Sequence, residues 1–127
     1  MIKLNEAFSS FSVNDLQQAK SFYHNTLGLE VSEVRDMEGL LNLHIAGGSR
    51  IMLYQKPDHK PATFTVLNFQ VENVEDTVDA LTSLGVQFEK YEGSIQTDEK
   101  GVSHGAGTKI AWFKDPSGNI LSVVEQK

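Results

Sequence analysis

The chain carries one ground plan twice. Phe11-Ser-Val-Asn-Asp-Leu16 aligns residue for residue with Phe69-Gln-Val-Glu-Asn-Val74, and Leu27-Gly28-Leu29 aligns with Leu84-Gly85-Val86 after the loss of one residue. Each copy runs in the same order: an alternating strand, an acidic or amide turn, a helix, a Leu-Gly stop and a second strand. A repeat of this kind constrains the fold more than any composition figure, because both halves must solve the same packing problem with the same elements.

Local physics supports each segment. Ser9, Phe11 and Val13 alternate with Phe8, Ser10 and Ser12, the period of two that belongs to a strand. Asn14 or Asp15 can cap a first helix, in which Leu16, Ala19, Lys20, Tyr23 and Leu27 recur at helical spacing and Gly28 supplies the left-handed stop. In the second copy Asn73 caps, Val74, Val78, Leu81 and Leu84 form the apolar stripe, and Gly85 stops it. Three more strands are expected after each helix: 29–34, 40–46 and 50–55 in the first copy, 86–91, 108–114 and 119–125 in the second. Gly47-Gly48 and Asp115-Pro-Ser-Gly118 make turns, the latter in the residue order of a structural type I turn. Pro57 and Pro61 mark a linker, so the reading is a single α+β domain of two modules, residues 5–56 and 62–127. Residues 92–107, polar and rich in glycine, read as a mobile loop.

Two β-α-β-β-β units, the Val13-Asn-Asp-Leu16 helix start, Phe22-Tyr23 ahead of Leu27-Gly28, and Phe113-Lys-Asp-Pro-Ser-Gly-Asn119 near the end together resemble the vicinal oxygen chelate superfamily. That is the group of glyoxalase I, bleomycin-resistance protein and the extradiol dioxygenases. Order and spacing carry the resemblance, and it covers nearly the whole chain. It implies a curved, cup-like mixed sheet with the helices outside and a ligand within, and modules paired inside one chain or across a homodimer. In the metal enzymes of the family, each module gives one ligand from its first strand and one from its fourth, usually histidine, glutamate or glutamine.

Transferred to this sequence, the first-strand positions are Phe8 and Val66, and the fourth-strand positions are Met52 and Ser122. Phe and Val have no donor atom, Met is a soft thioether, and one neutral hydroxyl is a weak ligand for a divalent oxygen-chelating metal. A register error of one residue does not repair the set, since Ala7, Ser9, Thr65, Leu67, Ile51, Leu53, Leu121 and Val123 are no better. The expectation is therefore no metal and no other cofactor.

What remains is a wall. The strand phase opposite the helices holds Phe8, Ser10, Ser12, Asn42, His44, Met52, Tyr54, Val66, Asn68, Gln70 and Ser122, a mixture of apolar, aromatic and hydrogen-bonding groups suited to a flat or amphipathic organic molecule. Trp112 belongs to a strand whose phase the sequence leaves open, and His104 lies in the glycine-rich segment that could close over a ligand. His44 can line the cavity or, in a sharper reading, act as a general base. His24 and His59 fall on an exposed helix side and in the linker.

The net charge of −6, with no run of lysine or arginine, argues against nucleic acid and favours tolerance of cationic small molecules. The absence of cysteine excludes disulfides, thiolate zinc and a cysteine nucleophile, and suits a reducing cytosol. The segment Met1-Ile-Lys-Leu-Asn-Glu6 lacks the apolar core of a signal peptide, and no apolar run approaches the ~20 residues of a membrane span. The leading expectation is a cytoplasmic, metal-independent binder of a small organic ligand, working as a homodimer. The rival is an enzyme of lyase, isomerase or dioxygenase type with a non-standard metal site or none.

Overall fold

Asp15, not Asn14, starts the first helix. Its backbone is extended, and its side chain accepts from the Gln18 N–H at 3.0 Å, filling one of the orphan donors of the first turn. In the computed structural model, which describes residues 2–105 and 107–125, contacts cluster into two compact units, Met1–Lys60 and Pro61–Lys127.

In the first unit β1 (Ser9–Val13), β2 (Glu30–Glu33), β3 (Leu40–His44) and β4 (Arg50–Gln55) form one sheet in the order β1-β4-β3-β2. β1 runs parallel to β4, and the other pairs are antiparallel. Helix α1 (Leu16–Lys20) continues as a π-helical segment, Ser21–Thr26, and packs on β3 and β4. Ala19 and Tyr23 meet Val13, Leu41, Leu43 and Leu53 in the buried core. The Tyr23 ring sits edge-on to Phe22, with centroids 5.2 Å apart.

The second unit repeats the plan. β5 (Thr65–Val71), β6 (Val102–Gly105), β7 (Thr108–Lys114) and β8 (Ile120–Glu125) lie in the order β5-β8-β7-β6, with α2 (Val74–Ser83) on β7 and β8. The Asn73 side chain caps α2 through the Asp76 N–H at 2.9 Å. Val74 and Val78 point into a core of Val86, Val102, Ala111, Phe113, Leu121 and Val123. The expected stripe ends early, since Leu84 is 60% exposed. The architecture is α+β, two tandem modules each with one helix on a four-stranded mixed sheet, as the repeat implies.

One strand is not where the alternation puts it. Residues 86–91 form no strand, only an isolated bridge from Phe88 to Phe113, and β6 arises instead inside the stretch read as a mobile loop. The cause is competition for one edge. β7 pairs its Thr108–Ala111 half with β6, leaving only its far end to Phe88 and to the Glu89 N–H, which reaches the Trp112 carbonyl at 2.8 Å. Asp98 fixes the start of β6: one carboxylate oxygen accepts from the Lys100 and Val102 N–H groups, each at 2.9 Å. The turn at Asp115 is structural. Its buried carboxylate accepts from the Ser117 and Asn119 N–H groups at 2.9 Å and from Asn119 Nδ2 at 3.0 Å.

Candidate functional site

Each sheet turns one face to its helix, and most of the candidate groups lie on the other. In the first sheet, register puts Ser10, Met52, Asn42 and Ser32 in one row, with Ser12, Tyr54 and Leu40 in the row beside it. On the far side of that row His44 stands between Glu30 and Arg50. The expected wall residues Ser10, Asn42, His44, Met52 and Tyr54 therefore share a face. Phe8 lies one residue before β1, and the Arg50 guanidinium covers its ring at 4.2 Å from the centroid.

This face is rich in hydrogen-bonding groups. His44 Nε2 lies 2.7 Å from Ser32 Oγ, and His59 Nδ1 lies 2.6 Å from Ser12 Oγ. The Asn42 Oδ1 is buried and has no hydrogen-bond partner among the described residues, an acceptor that a donor on a bound molecule could satisfy. Neither Ser32 nor His59 is among the residues that the sequence singled out as site candidates. Ser32 is on an edge strand with only four residues of alternation, and His59 reaches the sheet from a turn that leaves no periodic signal.

In the second sheet Asn68, Ser122 and Trp112 form a row, which settles the phase of the Trp112 strand: its neighbours Ala111 and Phe113 are buried on the helix side. Ser122 is fully buried, and its hydroxyl donates to Asn68 Oδ1. Val66 stands at a register irregularity between Thr65 and Leu67, so Thr65 rather than Val66 opposes Ile120. His104 is not brought to this row. It pairs with Lys109 on the helix side of β6 and bonds Asp98 Oδ2 at 2.9 Å.

The four positions that would hold a divalent metal do not fit one. Phe8 and Val66 offer no donor, Met52 offers a thioether, and the Ser122 hydroxyl is already engaged. No group of three histidine, aspartate or glutamate side chains converges among the described residues. No step through a metal follows from these residues.

The second unit holds a cavity of about 800 Å³ on the Trp112 face, between the sheet and the 89–95 segment. Phe64, Thr65, Tyr91, Ile95, Trp112 and Lys114 are among its lining residues. The Tyr91 and Trp112 rings meet edge to face at 5.4 Å, while Phe64 is 67% and Ile95 47% exposed. Such large apolar groups left facing water at a concavity mark a binding surface more than a core. Burial raises the Tyr91 phenol above its ordinary value, and the nearby Glu89 adds to this, with Lys114 acting the other way.

Asp98 shows how the 98–101 turn responds to acid. Burial alone would raise its carboxyl, but the His104 hydrogen bond and the Val102 and Lys100 N–H groups outweigh it and hold the group below its ordinary 3.8. A depressed folded-state value adds stability that is present above that ordinary value and disappears as pH falls through the folded one. Asp98→Asn is thus expected to lower the melting temperature near neutral pH. The gap to the natural chain should narrow below about pH 4, which melts at a series of pH values will read.

The family model described as the Glyoxalase/Bleomycin resistance protein/Dioxygenase superfamily matches residues 7–123. No curated protein matches the sequence. Among solved structures, the chain is similar to a member of that superfamily from Sphaerobacter thermophilus, with 23% identity, a TM-score of 0.68, and coverage of 96% of this chain and 98% of the other. It is also similar to TnmS3, an antibiotic binding protein from a Streptomyces species, at 20% identity, TM-score 0.70 and coverage of 99% and 100%. FosX, a genomically encoded fosfomycin resistance protein from Listeria monocytogenes, is similar at 17% identity, TM-score 0.70 and coverage of 100% and 96%. At these identities the structural matches report the fold.

Proposed function

The chain belongs to the Glyoxalase/Bleomycin resistance protein/Dioxygenase superfamily, and on that premise we propose that it is a metal-independent binding protein that sequesters a small organic ligand against the helix-free face of its sheets. The observation that carries this reading is the cavity beside Trp112, walled by aromatic rings and hydrogen-bonding groups in a chain whose four candidate metal positions offer no fitting ligand set. In the first unit, taken by itself, the helix-free face offers Phe8, Ser10, Asn42, His44, Met52 and Tyr54 as candidate ligand contacts. In the second, Asn68 and Trp112 would contribute directly, Ser122 would orient Asn68, and Val66 would shape the wall. His104, on the other face, would act only by holding the 98–101 turn against β6 through Asp98. Two structural relatives carry names of antibiotic binding and of fosfomycin resistance, which is consistent with a small-molecule ligand here.

The test is a thermal-shift screen of chelator-dialysed protein against a library of organic compounds. A ligand bound only to the native state raises the melting temperature by mass action. At least one compound should do so and saturate at one molecule per chain; a library that leaves the melt unmoved would contradict the reading.

A second reading, a metal-free enzyme, is favoured by one contact, the 2.7 Å approach of His44 Nε2 to Ser32 Oγ. It requires that His44→Ala abolish turnover of a bound compound while leaving its affinity in place. We also propose a cytoplasmic homodimer that engages neither nucleic acid nor membrane. Strands β1, β2, β5 and β6 end their sheets, and such edges are commonly covered by pairing. No helix among the described residues is long and apolar enough to cross a membrane. Light scattering should give twice the 14.1 kDa chain mass, and a monomer across a wide concentration range would refute the dimer.

A further inference from the structure

We propose that the cavity of the second unit selects a planar aromatic cation, an inference that rests on the binding reading above and narrows it to a ligand class. The shape comes from the rings. Tyr91, from the 89–95 segment, and Trp112, from the sheet, stand at 67° to each other, and Phe64 and Ile95, both water-exposed, offer the apolar surface that a flat ligand would cover. Aromatic faces carry negative quadrupole charge, so they favour a flat ligand and, more strongly, a flat ligand with positive charge.

The charge comes from counting what lines the space. Three ionised side chains do so: Glu89, Glu92 and Lys114. Glu89 and Lys114 satisfy each other as an ion pair at 3.3 Å. Glu92 makes no ion pair among the described residues, so one carboxylate remains to be matched at the cavity. An anionic ligand would meet that carboxylate and the ring faces together, and both repel it. A saturated cation would find the carboxylate but lose the ring contacts. The two requirements together, and neither alone, specify the class. About 800 Å³ is within the range of sites for drug-sized molecules.

Trp112 is the only tryptophan in the chain and lines this cavity, so its fluorescence reports on a ligand bound there. The probes are proflavine, a planar aromatic cation; anthracene sulfonate, a planar aromatic anion; and tetraethylammonium, a cation without rings. Proflavine should quench Trp112 to saturation at one molecule per chain, with a calorimetric titration of the same pair giving the same affinity. The sulfonate and tetraethylammonium should each bind at least about tenfold more weakly. Glu92→Gln, at an exposed position that should not disturb folding, should weaken proflavine about three- to tenfold and leave the sulfonate no weaker. Phe64→Ala should weaken both aromatic probes.

Equal or tighter binding of the sulfonate overturns the ligand class, as does a Glu92→Gln variant that binds proflavine like the natural chain. Both outcomes leave the small-molecule reading standing. If no probe perturbs Trp112 and no library compound shifts the melt, both fall together.

Discussion

Phe113→Ala is expected to cost about 3–5 kcal/mol and to lower the melting temperature by about 10–20 °C. Phe113 is completely buried on the helix side of β7, beside Leu121 in the β8 register and with its ring 5.3 Å from that of Phe88. Removing it takes a large ring out of a close-packed layer that the surrounding strands cannot follow inward, so transfer and cavity costs add. Its neighbour in sequence provides the control. Trp112 faces the other way and lines the cavity, so Trp112→Phe should melt close to the natural chain and lose ligand instead. Thermal melts of the two variants, each with and without a bound compound, separate a core position from a site position one residue apart.

Gly101→Ala should be nearly as damaging, although it adds only a methyl group. The residue is buried at φ +93°, directly before β6. A Cβ there would lie 2.9 Å from the Phe88 Cβ and 3.0 Å from the Glu89 carbonyl oxygen. Neither is the free end of a flexible side chain, so backbone must move. A left-handed residue with a Cβ costs about 1–2 kcal/mol and forced overpacking about 1–3 kcal/mol, which together predict a loss of about 2–5 kcal/mol by denaturant unfolding. Gly93, also at positive φ but with nothing within 4 Å, should lose only the conformational part when changed to Ala. If the two variants are equally stable, the close approach of residue 101 to Phe88 and Glu89 is wrong.

The sequence spells out this fold because its period-two and period-3.6 segments come in pairs. β4 and β7 begin and end where the alternation says, and both helix caps are occupied by residues with the right chemistry, Asp15 and Asn73. The misplaced strand shows where pattern stops informing. Residues 86–91 and 102–105 compete for one edge of β7, and what decides is a carboxylate, Asp98, and a glycine, Gly101, neither of which enters an apolar periodicity. The site was legible in part for a related reason. Alternation identifies the face of Met52, Asn42 and Ser122, and register then adds Ser32 and Trp112 to the same rows. The cavity itself depends on Phe64, Tyr91, Glu92 and Ile95, which belong to irregular segments whose course no local rule predicts. His104, in a glycine-rich segment that the sequence left able to close over a ligand, lies in β6 and is bonded to Asp98.

A member of this superfamily without a metal centre, as proposed above, must hold its ligand with side chains alone. The direct measurement is the affinity of one bound compound for chelator-dialysed protein, repeated with stoichiometric zinc, nickel, manganese or ferrous iron. The account predicts the same affinity in every case, and a melting temperature that chelation does not change. Binding that appears only when one of these metals is restored, with that metal retained near one per chain through dialysis, would contradict it.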